Sequence, residues 1–435
     1  MFSGLNVLYI KIKASSTRKE KIMYVLVVNA GSSSLKYQVF NMENEEVIAK
    51  GVVEKIGVMK TDESGAKVPA DGITTYKRLS DGTENRQEMV IANHSVATEL
   101  MLGNLLSAEH GIIKSLDEIY AVGHRVVNGG KWLTKPTLVN DSVIADLRKC
   151  LDIAPVHTKA HLMGLEGCIE HMPKTPQVLV IDTAFHSTMP KKAYTYPIKK
   201  ETRERLSIRR YGFHGSSHRY VSAKAIEYLG KGAEGTKVIT CHLGNGSSIG
   251  AVKDGKIVDT SMGFTPLEGV IMGSRCGSID PAIVPFVMEN EGIAAKDMGD
   301  WMNKECGFLG MCGSSDLRDV ERMIGEGNEE AKLALDILGY QVKKYVGSYA
   351  AAMNGVDAVV FTAGIGENNP TIRQLAMEGM EFFGIKIDPE KNKNARSLAE
   401  PIDISADDSK VRIYVIFTNE ELVIARDTKE VVDNL

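Results

Sequence analysis

One β-hairpin unit is written twice in this chain, and that repetition limits the fold more than any other feature. Val25–Val28 (VLVV) is a continuous apolar run of the buried-strand type. A turn of small residues follows, Asn29–Ser34 (NAGSSS), then an alternating strand, Leu35–Phe40. Residues 41–46 are polar turn material, and Val47–Val53 makes a third strand. The same order returns as Lys237–Leu243 (KVITCHL), the turn Gly244–Ser248 (GNGSS), Ile249–Val252, an Asp254-Gly255 hairpin turn and Lys256–Asp259. Gly31-Ser32-Ser33 aligns on Gly246-Ser247-Ser248, about 215 positions later, which is too long a period for a solenoid. It predicts two related domains, each opened by a hairpin with a small-residue turn.

Helical periodicity fills the intervals. Ser95–Ala108, Lys159–Met172 and Ser216–Leu229 read as helices. The longest is Glu329–Met353, with Leu338, Val342, Tyr345, Val346 and Tyr349 on one face. Thr371–Phe383 follows Pro370, a residue suited to a helix start. Val178–Ile181, Ala358–Thr362 and Arg412–Phe417 are further buried strands, and Pro190 to Pro197 reads as a crossing between the halves. Strands alternating with helices mean α/β layering. Residues 1–22 carry a short apolar stretch followed by Lys and Arg, the reverse of a secretory signal, so they are expected to lie outside the fold, with Met23 as a candidate true start.

A formal charge of −4 gives no electrostatic reason to expect nucleic acid or an anionic membrane as partner. Any anion site must be local. The six cysteines are scattered without a C-x-x-C pair, which fits reduced thiols in a cytoplasm better than zinc or disulfides. No apolar run is long enough to span a bilayer.

Four groups of residues point to chemistry. The turns Asn29–Ser34, Gly244–Ser248 and Gly364–Asn368 (GIGEN) are small-residue loops at strand ends, where backbone N–H groups cradle anions. A single such turn reads equally as a plain hairpin; three, two of them duplicated, point to a nucleotide held between domains. No Walker A pattern is present, and a hairpin rather than a helix follows each early glycine-rich turn, against a Rossmann site. Gly246–Gly250 matches G-x-S-x-G, but the hydrolase elbow needs strand–turn–helix, and two short strands follow here. Arg125 and Arg275 sit among glycines that leave room for a carboxylate or phosphate; a solvated surface arginine is the alternative. His157, His186, His214 and His242 follow or end apolar segments, without metal-ligand spacing. Asp182 and Glu420 lie at strand ends, suited to a hydrated Mg²⁺, although Asp182 reads equally as a helix N-cap.

Together these residues resemble the acetate kinase family, within the acetate and sugar kinase/Hsp70/actin superfamily. The resemblance runs from Met23 to the end through VNAGSSSLKYQVF, GHRVVNGG, VIDTAFH, RRYGFHGSSHRY, HLGNGSSIGAV, GSRCGSIDP, SSDLRD, FTAGIGEN and TNEELVIARD. It implies an α/β fold of two duplicated actin-like ATPase (ribonuclease H-like) domains around a cleft: residues 23–185 with 420–435, and 186–419 as the nucleotide-binding and dimerisation domain. It implies reversible phosphoryl transfer from ATP to acetate, with acetyl phosphate and ADP as products, in a cytoplasmic homodimer. Asn29 and Glu420 would bind Mg²⁺ or Mn²⁺. Lys36, His242, Leu243, Gly244, Asn245, Gly246, Asp316, Leu317, Arg318, Gly364, Ile365, Gly366, Glu367 and Asn368 would hold ATP. Arg125 would bind the substrate carboxylate, with Val127, Val156, Phe213 and Pro266 as the acyl pocket. Asp182 is the family's catalytic acid, and His214 and Arg275 would stabilise the transition state. The sequence departs from the family in Thr158-Lys159, where Asn-Pro commonly follows the histidine matching His157, and in Val156, where Leu is usual. The second departure bears on acetate over propionate. Two alternatives stand: a kinase for propionate or another short carboxylate, and an Hsp70- or actin-like ATPase whose output is conformational.

Overall fold

The computed structural model describes residues 23–62, 64–396 and 400–435. The expectation for residues 1–22 lies outside the described residues. Among the described residues, ten strands precede residue 182: β1 (Tyr24–Ala30), β2 (Ser34–Asn41), β3 (Glu46–Glu54), β4 (Met59–Thr61), β5 (Lys67–Pro69), β6 (Asp71–Arg78), β7 (Glu84–Val90), β8 (Ile119–Val126), β9 (Thr137–Leu138) and β10 (Gln177–Ile181). Six follow it: β11 (Lys237–Leu243), β12 (Ser247–Lys253), β13 (Lys256–Thr260), β14 (Ala358–Thr362), β15 (Ile402–Asp403) and β16 (Arg412–Val415).

Two sheets carry the fold, in the orders β7-β6-β3-β2-β1-β8-β10-β9 and β13-β12-β11-β14-β16-β15. The centre of each has the same plan. A three-stranded antiparallel meander, β3-β2-β1 or β13-β12-β11, is extended by two parallel strands, β8-β10 or β14-β16. The duplication read from the two hairpins therefore extends through five strands of each sheet. Register places Asn29 opposite Lys36 in the first hairpin and His242 opposite Ser248 in the second.

The central strands are buried on both faces, as continuous apolar runs require. Strands β10 and β14 are buried at every position. The helix Glu329–Met353 packs Leu338, Val342, Val346 and Tyr349 into the core of the second sheet, with Tyr345 half-buried. The first sheet is covered by the helices His94–Leu106 and Pro155–His171 on one face. The last helix, Glu420–Asp433, covers its other face, where Leu422, Ile424 and Ala425 meet Val25, Val27, Val178 and Val180.

Element ends differ in informative ways. The helix expected over 371–383 stops at Met377; Gly379 takes a left-handed φ of 69°, and a separate 3₁₀ turn covers Glu381–Phe383. The GIGEN turn is a short helix, Ala363–Asn368, entered through Ala363 at φ 64°. The last strand ends at Val415, short of Phe417.

Candidate active site

Every parallel strand of the two sheets delivers a polar group from its C-terminal end, where α/β sheets bind ligands. In the first sheet, β1 ends at Asn29-Ala30, β8 at Arg125-Val126, and Asp182 follows β10. In the second, β11 ends at His242-Leu243, β14 ends at Thr362, and β16 leads through Thr418 to Glu420. One cavity of about 260 Å³ gathers Asn29, Arg125, His214, His242, Gly246 and Glu420 from both halves. A second, of about 570 Å³, adjoins it through Gly244 and Asn245 and is lined also by Asp316, Arg318, Gly364 and Asn368.

Arg125 is held from two sides. Its Nη2 donates to Asp182 Oδ2 at 2.7 Å and lies 3.6 Å from Glu420 Oε2. Burial works against the guanidinium charge, but Asp182 and Glu420 outweigh it and raise its pKa. Asp182 is buried and accepts from Ser216 Oγ at 3.4 Å, with no side-chain bond to a helix end. Its carboxylate is thus the counter-ion of Arg125, not an N-cap. Burial lifts Glu420 to about 7; Asp182 and Glu421 lift it too, while Arg125 pulls it down.

Arg275 approaches the rim of this cavity behind the Gly246 turn. Its Nη1 donates to the Pro266 carbonyl at 3.1 Å, and among the described residues it has no acidic partner. An added Cβ at Gly246 would stand 3.3 Å from that Nη1 and 3.7 Å from His214 Nε2. The turn glycine therefore lies within van der Waals reach of both groups. His214 occupies a left-handed backbone position, φ 57°, directly before the helix Gly215–Tyr228. Such a conformation persists only where surroundings impose it. They do: a Cβ on Gly215 would sit 1.8 Å from the Asp182 carbonyl oxygen, so only glycine lets the helix start there. Burial, the neighbouring His242 and His218, then Arg125 and Arg275 keep His214 neutral, well below the usual histidine range.

The hard oxygens of Asn29 and Glu420, facing one cavity, are the donor set that suits Mg²⁺, which takes few protein ligands beside phosphate oxygens and water. Among the described residues no cluster of three or more His, Cys, Asp or Glu forms a closed metal cage.

The profile of the acetokinase family matches residues 24–426. The chain belongs to the acetokinase family. It is 52% identical over 412 residues to the acetate kinase of Methanosarcina thermophila, covering 94% of this chain and 97% of that one. It is 50% identical to the acetate kinase of Carboxydothermus hydrogenoformans, over 95% of this chain and 100% of that one. Acetate kinase from Porphyromonas gingivalis superposes with a TM-score of 0.87 at 42% identity, covering 94% of this chain and 100% of that one. A propionate kinase from Francisella tularensis superposes with a TM-score of 0.84 at 37% identity, with the same coverage. The acetokinase fold is the two-domain actin-like ATPase architecture, here with its duplicated sheets.

The residues marked by the acetokinase resemblance divide in space. Asn29, Arg125, His214, His242, Gly244, Asn245, Gly246 and Glu420 share the first cavity; Asp316, Leu317, Arg318, Gly364, Ile365 and Asn368 share the second. Val127 and Phe213 pack with Tyr211, Met262 and Phe264 as an apolar patch. Others stand apart. Lys36 lines a neighbouring cavity of about 480 Å³ on the first sheet, joined to the site through Asn29 and Glu421. Leu243 and Gly366 turn into the second core. Glu367 is buried; its carboxylate accepts from Thr362 Oγ1 and from the N–H groups of Ala363 and Thr418, at 3.2, 2.8 and 3.3 Å. It braces the loop rather than lining the cavity. Val156 is 66% exposed and lies outside the apolar patch, and Pro266 contributes its carbonyl to Arg275.

Sequence reading missed several supports. His94 Nε2 lies 2.8 Å from the Gly31 carbonyl and pins the first turn. His161 Nε2 accepts from the Val127 N–H at 3.1 Å. Arg373, fully buried, donates to the carbonyls of Gly366 and Glu367 at 2.9 and 3.0 Å and to Asn392 Oδ1 at 2.7 Å. The only sequence signal for these was a polar residue inside an apolar helical pattern.

Proposed function

We propose that this chain transfers the γ-phosphoryl group of ATP to acetate, reversibly, with acetyl phosphate and ADP as products. One observation carries the reading: Arg125 lines a cavity with His214, Asn29, Glu420 and the turn glycine Gly246, and Arg275 lies against that same glycine, so both guanidinium groups flank His214. A carboxylate acceptor is already ionised at neutral pH, so the reaction needs no general base. Its obstacle is repulsion between two anions, which converging cations remove.

Arg125, fixed by Asp182, offers its remaining donors to the acceptor carboxylate. Asp182 holds the guanidinium and removes no proton. Arg275, lacking an acidic partner among the described residues, is free for the phosphoryl oxygens. Asn29 and Glu420 would hold Mg²⁺, which when bound neutralises phosphate charge. The larger adjoining cavity takes the nucleoside end of ATP, and Val127 with Phe213 faces the acyl methyl.

The division that fits is residues 23–185 with 420–435 as one domain and 186–419 as the other, supported by the last helix packing on the first sheet. A homodimer through the second domain is supported by exposed Ile283, Phe286 and Tyr340. A cytoplasmic setting is supported by six free cysteines among the described residues.

The test is acyl-hydroxamate formation with ATP and Mg²⁺ and, in turn, acetate, propionate and butyrate. Acetate should give the highest kcat/KM. A preference for propionate would move the chain to the second reading, which the likeness to the Francisella propionate kinase favours. One methylene is worth only about 1–3 kcal/mol in such a pocket. ATP hydrolysis with no hydroxamate from any acid would overturn the kinase reading.

A further inference from the structure

Behind His214 runs a line of polar contacts that ends in the second sheet. His214 Nδ1 lies 2.8 Å from Ser248 Oγ, and Ser248 Oγ lies 2.7 Å from His218 Nε2. His218 Nδ1 lies 2.7 Å from Thr240 Oγ1, which is also 3.3 Å from the Gly250 carbonyl oxygen. Ser248, His218 and Thr240 are wholly buried. An added Cβ on Gly250 would stand 3.0 Å from Thr240 Oγ1 and 3.1 Å from His218 Nδ1, so glycine keeps this joint open.

Counting hydrogens fixes the arrangement. Ser248 has one hydroxyl hydrogen and a ring nitrogen on each side. It donates to one and must accept from the other, so the tautomers of the two neutral rings are coupled. The line has two directions. In the first, Thr240 donates to the Gly250 carbonyl and accepts from His218 Nδ1–H. Ser248 then donates to His218 Nε2 and accepts from His214 Nδ1–H. In the reverse, the Thr240 hydroxyl is spent on His218 Nδ1, and the Gly250 carbonyl loses this donor. The first direction makes one more hydrogen bond, a preference of about fivefold for one net bond and larger in a buried site.

We propose that Ser248, His218 and Thr240 are positioning residues that hold His214 as its Nδ1–H tautomer, so that Nε2 is the nitrogen that meets the ligand. The ring is stacked on His242 with centroids 4.0 Å apart, which fixes its plane. Nδ1 is committed behind the ring, and Nε2 faces the turn at Gly246. Nε2 can take up a hydrogen or accept one without any change in the line behind it. That readiness matters to phosphoryl transfer, so the kinetic arm of the test rests on the proposed function, whereas the tautomer itself does not.

The experiment pairs ¹⁵N NMR of histidine-labelled full chain, with His214 assigned by loss of its signals in His214→Gln, and steady-state kinetics. In the unsubstituted protein His214 should show a protonated Nδ1 and an unprotonated Nε2. Ser248→Ala should release that preference and lower kcat about 10–100-fold, less than the loss of about 10²–10³-fold from removing a donor outright, with KM for ATP within about twofold. Thr240→Val, close to isosteric, should do the same more weakly, and Thr240→Ser should restore the original ring signals and rate. If Ser248→Ala does not fold, the Thr240 pair carries both arms. An Nε2–H tautomer in the unsubstituted protein overturns the proposal. So does a released tautomer with unchanged kcat, or an unchanged tautomer in both Ser248→Ala and Thr240→Val. Absence of acyl phosphate from the unsubstituted chain would instead remove the kinase reading, while the ring signals still decide the tautomer.

Discussion

Lowering the pH from 7.5 to 5.5 should destabilise the ligand-free protein, and the size of the loss follows from its buried histidines. Burial holds His124 at about 4 and His161, His186 and His242 at about 3; it also holds His214 and His218 well below 6.5. Over this interval all six stay neutral in the folded state. In the unfolded chain each titrates near 6.5, so the unfolded state binds more protons and stability falls as pH falls. Each group forfeits about 1.4 kcal/mol between pH 7.5 and 5.5, about 8 kcal/mol for the six. Glu420 works the other way: lifted to about 7, it gains its proton in the folded state and returns about 2 kcal/mol. Asp259 and Asp427, raised chiefly by burial, act in the same direction. Carboxylates with lowered values, such as Asp81 and Asp316, lose stability only at lower pH, near and below their unfolded range. The histidines and Glu420 together leave a loss of about 6 kcal/mol, which the two aspartates reduce further. With an unfolding entropy of about 2.1 cal/mol/K per residue, calorimetry should show Tm lower by up to about 7 °C at pH 5.5. An equal or higher Tm at pH 5.5 would refute the reasoning, as would ring signals of these six histidines titrating near pH 6.5 in the folded protein.

Arg275→Ala should lower kcat about 10²–10³-fold, because it removes an electrostatic donor with no stabilising ion pair to lose; turnover near the unsubstituted value would take Arg275 out of the mechanism. Arg125→Ala should raise KM for acetate strongly and also cost about 3–5 kcal/mol of stability, since Asp182 is left buried without its counter-ion; an unchanged acetate KM contradicts its substrate role, and unchanged unfolding contradicts the burial argument. Arg373→Met should raise KM for ATP and leave KM for acetate unchanged, because the carbonyls it holds belong to the loop beside the nucleotide cavity. Equal rises in both constants would mean general disruption.

The parts of the fold legible in the sequence were those with strong local patterns. Ala358–Thr362 and Glu329–Met353 were delimited to the residue, one by a continuous apolar run, the other by a long helical stripe. Strands β6 and β7 carry no such signature: β7 is an edge strand exposed at nearly every position, so burial never imposed an alternating code on it. The same limit divides the site. Arg125, Arg275 and His214 were visible because glycines crowd them in sequence. His218, Ser248, His161 and Arg373 act through contacts made by folding, between residues such as His161 and Val127 that lie far apart in the chain. Glu367, carried in with its loop by the family resemblance, turns its carboxylate inward onto backbone N–H groups, a contact that no local pattern announces.

The last helix lies on the first sheet, between a strand near residue 25 and one near residue 180. The strand near residue 180 ends at Ile181 and the helix begins only at Glu420, so the sheet keeps one apolar face open until that distant segment docks. Glu420 heads the same helix, so its carboxylate reaches the cavity only when the sheet is sealed. Sealing the sheet and setting this carboxylate at the cavity are thus one event in folding.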